Sequence, residues 1–216
     1  MTSTKLLLLD CDSTLSAIEG IDELGRLRGA ETFSAVEQMT RAAMEGGTSM
    51  ESIFARRLEL IRPTAAELST IGAQYIAHVE PSAKETIQML QTEGWTVVIV
   101  SGGFTQAIQP LADYLGVELV EAVLLEFDAY GAYAGFSPAC ETARTRGKNA
   151  VAKRLRKSSE ATLSVMVGDG ASDLEVQGDV DFVVGFGGYA VREKVKAGAD
   201  AFILSLGELP AILRKL

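Results

Sequence analysis

Four leucines run directly into two aspartates in the segment Lys5-Leu6-Leu7-Leu8-Leu9-Asp10-Cys11-Asp12-Ser13-Thr14. A continuous apolar run of this kind is typical of a parallel strand that helices cover on both faces. The run is too short for a signal sequence or a membrane span, and Asp10 ends it. The segment therefore predicts a buried first strand with acidic groups at its carboxyl end.

Similar short apolar runs alternate with helical patterns through the second half of the chain. The predicted strands are Lys5–Asp10, Thr96–Val100, Leu163–Val167, Phe182–Gly185 and Ala201–Ile203, and the predicted helices include Ser82–Glu93, Thr105–Leu115 and Lys148–Lys157. This alternation predicts an α/β fold with a doubly wound parallel sheet of the Rossmann type. Two further runs, Leu124–Phe127 and Ala132–Phe136, flank Ala129-Tyr130-Gly131 and predict a β-hairpin flap beside the sheet.

The alternation is interrupted between residues 15 and 79, where amphipathic helical patterns replace strand-like runs. One helix is predicted to begin at Thr64, because Glu67 follows three residues later in a capping-box pattern. We expect residues 15–79 to form a small α-helical cap inserted after the first strand, over an α/β core of residues 1–14 and 80–216. Such a cap would cover the strand ends, where open α/β sheets bind ligands. A separate helical bundle is the alternative.

The composition restricts the classes of partner and compartment. The chain has 216 residues, is 47% hydrophobic and carries a formal net charge of −9, so it can bury a full core and lacks the basic excess that nucleic-acid and membrane binding need. A small phosphorylated metabolite remains compatible with this charge, because a few local cations and Mg²⁺ can reverse the field in one pocket. Two cysteines without metal-ligand spacing favour a reducing, cytoplasmic setting. The composition leaves a homodimer open.

Three segments place phosphate-handling groups where strands should end. Asp10 and Asp12 are two apart, so in an extended segment both carboxylates face one site, where one can act as nucleophile and the other as acid and base. Ser101-Gly102-Gly103 offers a hydroxyl and backbone amides directly before a helix, and Lys148 opens the next helix with a positive charge. Each segment alone also fits an ordinary turn, a strand-to-helix connection or a solvated lysine.

The sharpest signal is Gly168-Asp169-Gly170-Ala171-Ser172-Asp173 after the predicted strand Leu163–Val167. Two carboxylates at a strand end suit Mg²⁺, which takes few protein oxygens and keeps several waters. A calcium loop would need more acids at alternate positions, and a metal-free turn is the other alternative. The segments together predict a magnesium-dependent site for phosphoryl transfer.

Helical spacing distinguishes two neighbouring arginines in the cap. Arg57 lies on the apolar face of the helix predicted after Ser49, whereas Arg56 lies off it; the other residues of this face are Met50, Ile53, Phe54, Leu58 and Ile61. A charge on a buried face needs a partner, although an arginine at the edge of the stripe can also extend to water.

With these segments in this order, the chain resembles the haloacid-dehalogenase superfamily, and within it the phosphoserine phosphatase family. The resemblance covers nearly the whole chain and includes Glu19-Gly20-Ile21-Asp22-Glu23-Leu24, Ala43-Met44-Glu45-Gly46, Val100-Ser101-Gly102-Gly103-Phe104, Tyr133-Ala134-Gly135-Phe136 and Gly185-Phe186-Gly187-Gly188. It implies a Mg²⁺-dependent phosphatase that hydrolyses O-phospho-L-serine to L-serine and phosphate, the last step of serine biosynthesis.

The resemblance also implies a role for each core residue. Asp10 would be the nucleophile that becomes phosphorylated. Asp12 would protonate the leaving serine oxygen and then activate the hydrolytic water. Mg²⁺ would be held by the Asp10 carboxylate, the Asp12 backbone carbonyl and Asp169, with Asp173 in support.

The remaining implied contacts bind the substrate. Ser101, the Gly102 amide and Lys148 would hold the phosphoryl oxygens, while Glu19 would bind the ammonium of phosphoserine and Arg57 its carboxylate. The other implied pocket residues are Met44, Glu45, Gly103, Ser172 and Arg192. Ser172 departs from the family, in which Asn or Thr is common. The residues themselves predict that Cys11 is buried away from the site, and that the single histidine, His78, is structural.

Two alternatives to phosphoserine hydrolysis stay open at this point. One is a related phosphatase for phosphothreonine, phosphohomoserine or phosphoethanolamine, of which the last would leave Arg57 without a carboxylate to bind. The other is a phospho-acceptor signalling module of the receiver type. In such modules the acidic pair precedes the acceptor aspartate, the lysine comes last and no helical cap is inserted.

Overall fold

The structure, a computed structural model, describes residues 4–44 and 50–216, with side chains described outside residues 40–52. Its strands are β1 (Lys5–Leu9), β2 (Trp95–Phe104), β3 (Leu119–Val123), β4 (Leu125–Phe127), β5 (Tyr133–Phe136), β6 (Leu163–Gly168), β7 (Phe182–Phe186) and β8 (Ala201–Ile203). Its helices are α1 (Gly20–Leu27), α2 (Ala30–Met44), α3 (Met50–Ile61), α4 (Ala65–Ala77), α5 (Ala83–Thr92), α6 (Thr105–Leu115), α7 (Gly147–Ser158), α8 (Ala171–Leu174), α9 (Glu193–Gly198) and α10 (Leu209–Leu213). Short 3-10 helices cover Glu141–Ala143 and Leu206–Glu208.

Six parallel strands form the main sheet in the order β3-β2-β1-β6-β7-β8. All five predicted strands are present, and the α/β prediction with a parallel sheet is confirmed. The chain moves outward from β1 in one direction and from β6 in the other, so the strand order reverses between these two neighbours. Open sheets bind ligands in the crevice at such a switch point, beyond the carboxyl ends of the strands.

The apolar runs are continuous because successive residues enter two different cores. In β1, Leu7 and Leu9 belong to one buried cluster, while Leu6 and Leu8 belong to a second cluster on the opposite face of the sheet. None of the helices in residues 4–44 and 50–216 combines the length and apolar character that a membrane-spanning helix needs.

Two features of the sheet were not predicted. β3 (Leu119–Val123) lies at the edge, where Leu119 is exposed and Glu121 pairs with Arg154 at 2.8 Å, so its pattern lacks the apolar run of a covered strand. β2 continues through Phe104, so the prediction that it ends at Val100 is wrong. Phe104 pairs with β3 beyond a register shift, which keeps the backbone extended at the serine and both glycines.

Helices α1 to α4 fill the segment between β1 and α5, as the interrupted alternation predicts, and no strand element occurs in its described residues. The capping box at Thr64 and Glu67 is present at the start of α4. The predicted hairpin is formed by β4 and β5 and bonds to the helical segment, since Ala65 donates its amide to the Gly131 carbonyl at 3.1 Å. The division into a core and a cap domain stays a prediction.

Candidate active site

The site forms where the ends of β1 and β6 meet. Asp10 directly follows β1 and Asp169 directly follows β6, and these two strands are paired in the sheet. Lys148 lies in the first turn of α7, and Asp173 lies in α8. All four side chains are buried.

Three of these residues form an acidic cluster. Oxygen atoms of Asp10, Asp169 and Asp173 all lie within 4.8 Å of one another. Burial, followed by the charges of Asp173 and Asp169, raises the pKa of Asp10 well above its usual value, and burial raises the pKa of Asp169 to about 6. Several carboxylates at one buried point are the hard oxygen donors that Mg²⁺ prefers, and a divalent cation would relieve their mutual repulsion. The cluster therefore fits a magnesium ion.

Lys148 bonds to two members of this cluster, one of which is the nucleophile candidate Asp10. Its ammonium donates to Asp10 Oδ1 and to Asp173 Oδ1, each at 2.6 Å. Burial opposes the lysine's charge, but the carboxylates of Asp10 and Asp173 hold the pKa of Lys148 above its usual value. The lysine is therefore a fixed positive charge beside Asp10.

Asp12 has hydrogen-bond partners that differ from those of Asp10. The backbone turns at residues 11 and 13–15, so the extended alternation that predicted parallel carboxylates ends with β1. Asp12 Oδ1 accepts hydrogen bonds from the Tyr75 hydroxyl at 2.6 Å and from the Gly20 amide at 2.8 Å. Its Oδ2 accepts from Ser101 Oγ at 3.4 Å. The Asp12 side chain thus lies outside the acidic cluster.

The phosphate-loop candidates lie beside Asp12. Ser101 is buried at the carboxyl end of β2, and its hydroxyl accepts a hydrogen bond from the Gly103 amide at 2.9 Å. Gly102 is exposed between them, within strand β2 rather than after its predicted end. Ser172 is also exposed, in α8 next to Asp173.

The predicted substrate-binding pair lies near Asp12, with Arg57 buried and Glu19 half-buried. Burial, and then the charge of Asp12, raises the pKa of Glu19 to about 8, and Glu19 Oε1 accepts a hydrogen bond from Ser13 Oγ at 2.7 Å. Arg57 is 8% exposed while Arg56 is exposed, as helical spacing predicted. Burial lowers the pKa of Arg57, and the charges of Asp22, Glu19 and Asp12 oppose that shift.

The three less specific candidates have different outcomes. Arg192, before α9, reaches the cluster, since its Nε and Nη2 both lie 2.9 Å from Asp169 Oδ2. Met44 is the last residue of α2, and its side chain is outside the described residues. Glu45 lies wholly outside them.

Sequence reasoning missed three residues of this site. Tyr75 lies in α4, and no local pattern links it to Asp12, 63 residues away. Asp22 is the acid whose charge acts most strongly on Arg57, and its position in α1 after Glu19 was a usable signal. Ser13 has a φ of 53°, a conformation that is uncommon outside glycine and concentrated at functional sites.

The expected burial of Cys11 is confirmed, and the structural role of His78 stays a prediction. Cys11 is fully buried in the larger apolar cluster. His78 is exposed at the end of α4, where its ring nitrogen Nδ1 lies 2.9 Å from the Gln74 carbonyl oxygen. Among the described contacts, His78 bonds to this helix end and not to the acidic cluster.

Comparison with known proteins agrees with this geometry. Residues 7–176 match the family model of haloacid dehalogenase-like hydrolases. The chain is 36% identical to the phosphoserine phosphatase of Bos taurus, over 99% of this chain and 95% of that protein. It is 35% identical to the phosphoserine phosphatase of Homo sapiens, over 96% of this chain and 92% of that protein.

A solved structure extends the similarity to the backbone. A phospho-aspartyl intermediate analogue of a phosphoserine phosphatase is 28% identical, covers 100% of both chains and has a TM-score of 0.80. Match lengths of this size leave no large part of the described fold unaccounted for. The chain therefore belongs to the haloacid dehalogenase-like hydrolase family, on its phosphoserine phosphatase branch.

Proposed function

We propose that this phosphatase hydrolyses O-phospho-L-serine to L-serine and phosphate through a phosphorylated Asp10. The observation that carries the proposal is the Lys148 ammonium, which bonds to Asp10 at 2.6 Å at the edge of the buried acidic cluster. This arrangement fixes a carboxylate nucleophile next to positive charge, as phosphoryl transfer requires. The similarity to a phospho-aspartyl intermediate analogue supports the same chemistry.

Asp10, Asp169 and Asp173 are the side chains that would hold a magnesium ion, together with the Asp12 backbone carbonyl. When bound, the ion supplies charge neutralisation for the phosphoryl oxygens and for the crowded carboxylates. Lys148 adds a second positive charge through its contacts with Asp10 and Asp173, and Arg192 compensates Asp169 at 2.9 Å.

The chemical steps follow from the positions of the two aspartates. A carboxylate oxygen of Asp10 attacks phosphorus, the bond from phosphorus to the serine oxygen breaks, and Asp12 gives its proton to that oxygen. Burial raises the pKa of Asp12, so the proton that this step needs is retained more readily than on an exposed aspartate. In the second step water attacks phosphorus and gives a proton to Asp12. The bond between phosphorus and the Asp10 oxygen breaks, so phosphate is released and the Asp10 carboxylate is restored.

The proposed selectivity for phosphoserine depends on ionisable side chains of the helical segment. Glu19 would bind the ammonium of phosphoserine and Arg57 its carboxylate, since both interact electrostatically with Asp12, the proposed proton donor. Ser101 and the Gly102 amide would hold the phosphoryl oxygens, with Gly103 and Ser172 lining the pocket; Met44 and Glu45 remain candidates from sequence alone. The same proposal includes that the protein acts in the cytoplasm, at the last step of serine biosynthesis.

The test is phosphate release by the purified chain with Mg²⁺ on L-phosphoserine, phosphothreonine, phosphoethanolamine and pyrophosphate. We expect kcat/KM to be highest for phosphoserine by a large factor. A higher value for another compound would keep the phosphatase assignment and reject phosphoserine as the substrate. A stable phosphorylated protein without turnover would favour the receiver-type alternative.

A further inference from the structure

Tyr75 combines complete burial with a polar contact to the proposed acid and base. Its side chain has no exposed surface, and its hydroxyl donates to Asp12 Oδ1 at 2.6 Å. A buried tyrosine hydroxyl needs a hydrogen-bond partner. If Tyr75 served only to pack the core, any nearby carbonyl oxygen could be that partner. Here the partner is the reacting carboxylate, and the bond is the shorter of the two that Oδ1 accepts.

The two oxygens of Asp12 have different surroundings. Oδ1 is occupied by the Tyr75 hydroxyl and the Gly20 amide, both from the helical segment. Oδ2 lies on the side of Ser101, whose hydroxyl is 3.4 Å away. An oxygen that already accepts two hydrogen bonds is poorly placed to exchange a proton with a substrate. Oδ2 is therefore the atom that faces the phosphate-binding side.

Tyr75 is held firmly enough to orient another side chain. Its helix, α4, approaches α6 so closely that a Cβ atom at Gly72 would lie 3.0 Å from the Pro110 ring. Ile71, one turn before Tyr75, is fully buried in the same apolar cluster. A Cβ atom at Gly20 would overlap the Tyr75 hydroxyl, so glycine is required there for the phenol to reach Asp12.

We propose that Tyr75 is a positioning residue for the reaction: its hydroxyl holds Asp12 Oδ1 so that Oδ2 is presented to the leaving group and to the hydrolytic water. This inference rests on the proposed acid–base role of Asp12. Tyr75 does not touch the substrate in this account, so its loss affects turnover and leaves substrate binding nearly unchanged. It also affects most the step that depends on protonation of the leaving oxygen.

The first test compares Tyr75→Phe with the unmodified chain on phosphoserine and on p-nitrophenyl phosphate. An alkoxide leaving group needs a proton from Asp12, whereas nitrophenolate leaves without one. We expect kcat for phosphoserine to fall roughly tenfold or more with KM nearly constant, as a lost bond to a charged group would give. Rapid mixing with p-nitrophenyl phosphate should give a nitrophenol burst at close to the original rate, followed by slow turnover, because the second step still needs Asp12 as base.

The matched control is Tyr114→Phe, which makes the same change on an exposed ring near the carboxyl end of α6. Its kinetics should stay within about twofold of the unmodified chain. A Tyr75→Phe variant that also stays within twofold on phosphoserine would overturn the proposal. So would equal slowing of phosphoserine hydrolysis and of the nitrophenol burst, because a general packing defect acts on both.

A second measurement does not depend on activity. The free energy of unfolding in urea is measured for Tyr75→Phe, for Asp12→Ala and for the double variant. We expect the two single-variant changes in this free energy not to add up in the double variant, because removing Asp12 takes away the partner of the Tyr75 hydroxyl. Additive losses would contradict the assigned contact.

The failure of the proposed substrate can be distinguished from the failure of this inference. If the unmodified chain prefers another alkyl phosphate, the same leaving-group comparison is made with that compound. Hydrolysis of the aryl phosphate alone would contradict the acid role of Asp12 and this inference together. If no compound is hydrolysed, the substrate proposal fails and the unfolding cycle decides the Tyr75 contact.

Discussion

Arg57 is a buried base and Glu19 a half-buried acid that the helical segment contributes close to the reacting groups. Arg57 is 8% exposed, and the acids Asp22 and Glu19 supply the charge that offsets its burial. Burying ionisable side chains is costly unless they are paired, so a site that keeps a basic and an acidic side chain here suits a ligand that carries both signs. A phosphorylated amino acid has an ammonium and a carboxylate in addition to its phosphate.

Arg57→Ala is therefore expected to harm phosphoserine far more than phosphoethanolamine, which lacks the carboxylate. We expect kcat/KM for phosphoserine to fall about 30-fold or more, as the loss of one partner of a buried charge pair typically gives. The measurement is kcat/KM for both compounds. Arg56→Ala is the matched control, because Arg56 is exposed on the same helix. Equal losses on both compounds would remove Arg57 from carboxylate recognition.

Glu19 gives a prediction for pH. Burial raises the pKa of Glu19 to about 8, so below that pH the free enzyme holds it mainly as a neutral acid, which attracts an ammonium weakly. The ratio of kcat/KM for phosphoserine to that for phosphoglycolate, which lacks the ammonium, should rise with pH up to about 8 and then level off. Taking a ratio cancels the ionisations that both compounds share. Glu19→Gln should make the ratio independent of pH, and an unchanged profile in that variant would contradict the assignment.

At this scale, sequence patterns identify the groups that follow strand ends, such as Asp10 and Asp169. They cannot identify a contact like that of Tyr75 with Asp12, because it depends on how α4 packs against α6. The hydrogen-bond partners of Asp12 were also beyond the pattern, since they come from the start of α1, from α4 and from β2.

Two separate contacts stabilise the start of helix α4. Glu67 accepts from the Thr64 amide at 2.8 Å, and Arg28, just after α1, donates to Glu67 Oε2 at 2.7 Å. The hydrogen bond from Arg28 lowers the pKa of Glu67 to about 2. The pair thus connects the end of α1 to the beginning of α4, the helix that carries Tyr75.

Glu67→Gln should lower the free energy of unfolding by about 1 kcal/mol at neutral pH, because the pair is partly exposed and solvent screens it. A depressed pKa means that the contribution is present above the unfolded value of 4.5 and is lost as pH falls toward about 2. The difference between the two proteins should therefore shrink in that window. Glu85→Gln, an exposed glutamate in the first turn of α5, is the control. A difference that is constant from pH 6 to pH 2 would contradict the ion pair.

Sequence reasoning at the level of elements succeeds where a strand is covered on both faces, as for β1 and β6. It fails at the edge, because β3 is half exposed and its alternation is diluted by Glu121. It also ends β2 too early, since Gly102 and Gly103 resemble a turn when the pairing with β3 is unknown.

The whole molecule places its acidic cluster at the point where the strand order reverses. Without a cation the cluster concentrates buried negative charge, so an ion that binds only the folded chain should stabilise it. We expect saturating Mg²⁺ to raise Tm by roughly 5 °C or more. A chelator should remove this increase and the activity together.

Asp169→Asn should lose most of the Mg²⁺-dependent increase in Tm, because one of the three carboxylates is replaced. Asp113→Asn, on the far part of α6, should keep it. An equal increase in both variants would show that the ion binds elsewhere.

The central claim is that phosphate passes through Asp10. The most direct measurement is acid quenching of the enzyme during turnover of ³²P-labelled phosphoserine, followed by peptide mapping of the protein-bound label. We predict an acid-stable, hydroxylamine-sensitive phosphate on the peptide that contains Asp10, and neither label nor turnover in a folded Asp10→Asn variant. Label on another residue, or substantial turnover by Asp10→Asn, would contradict the account.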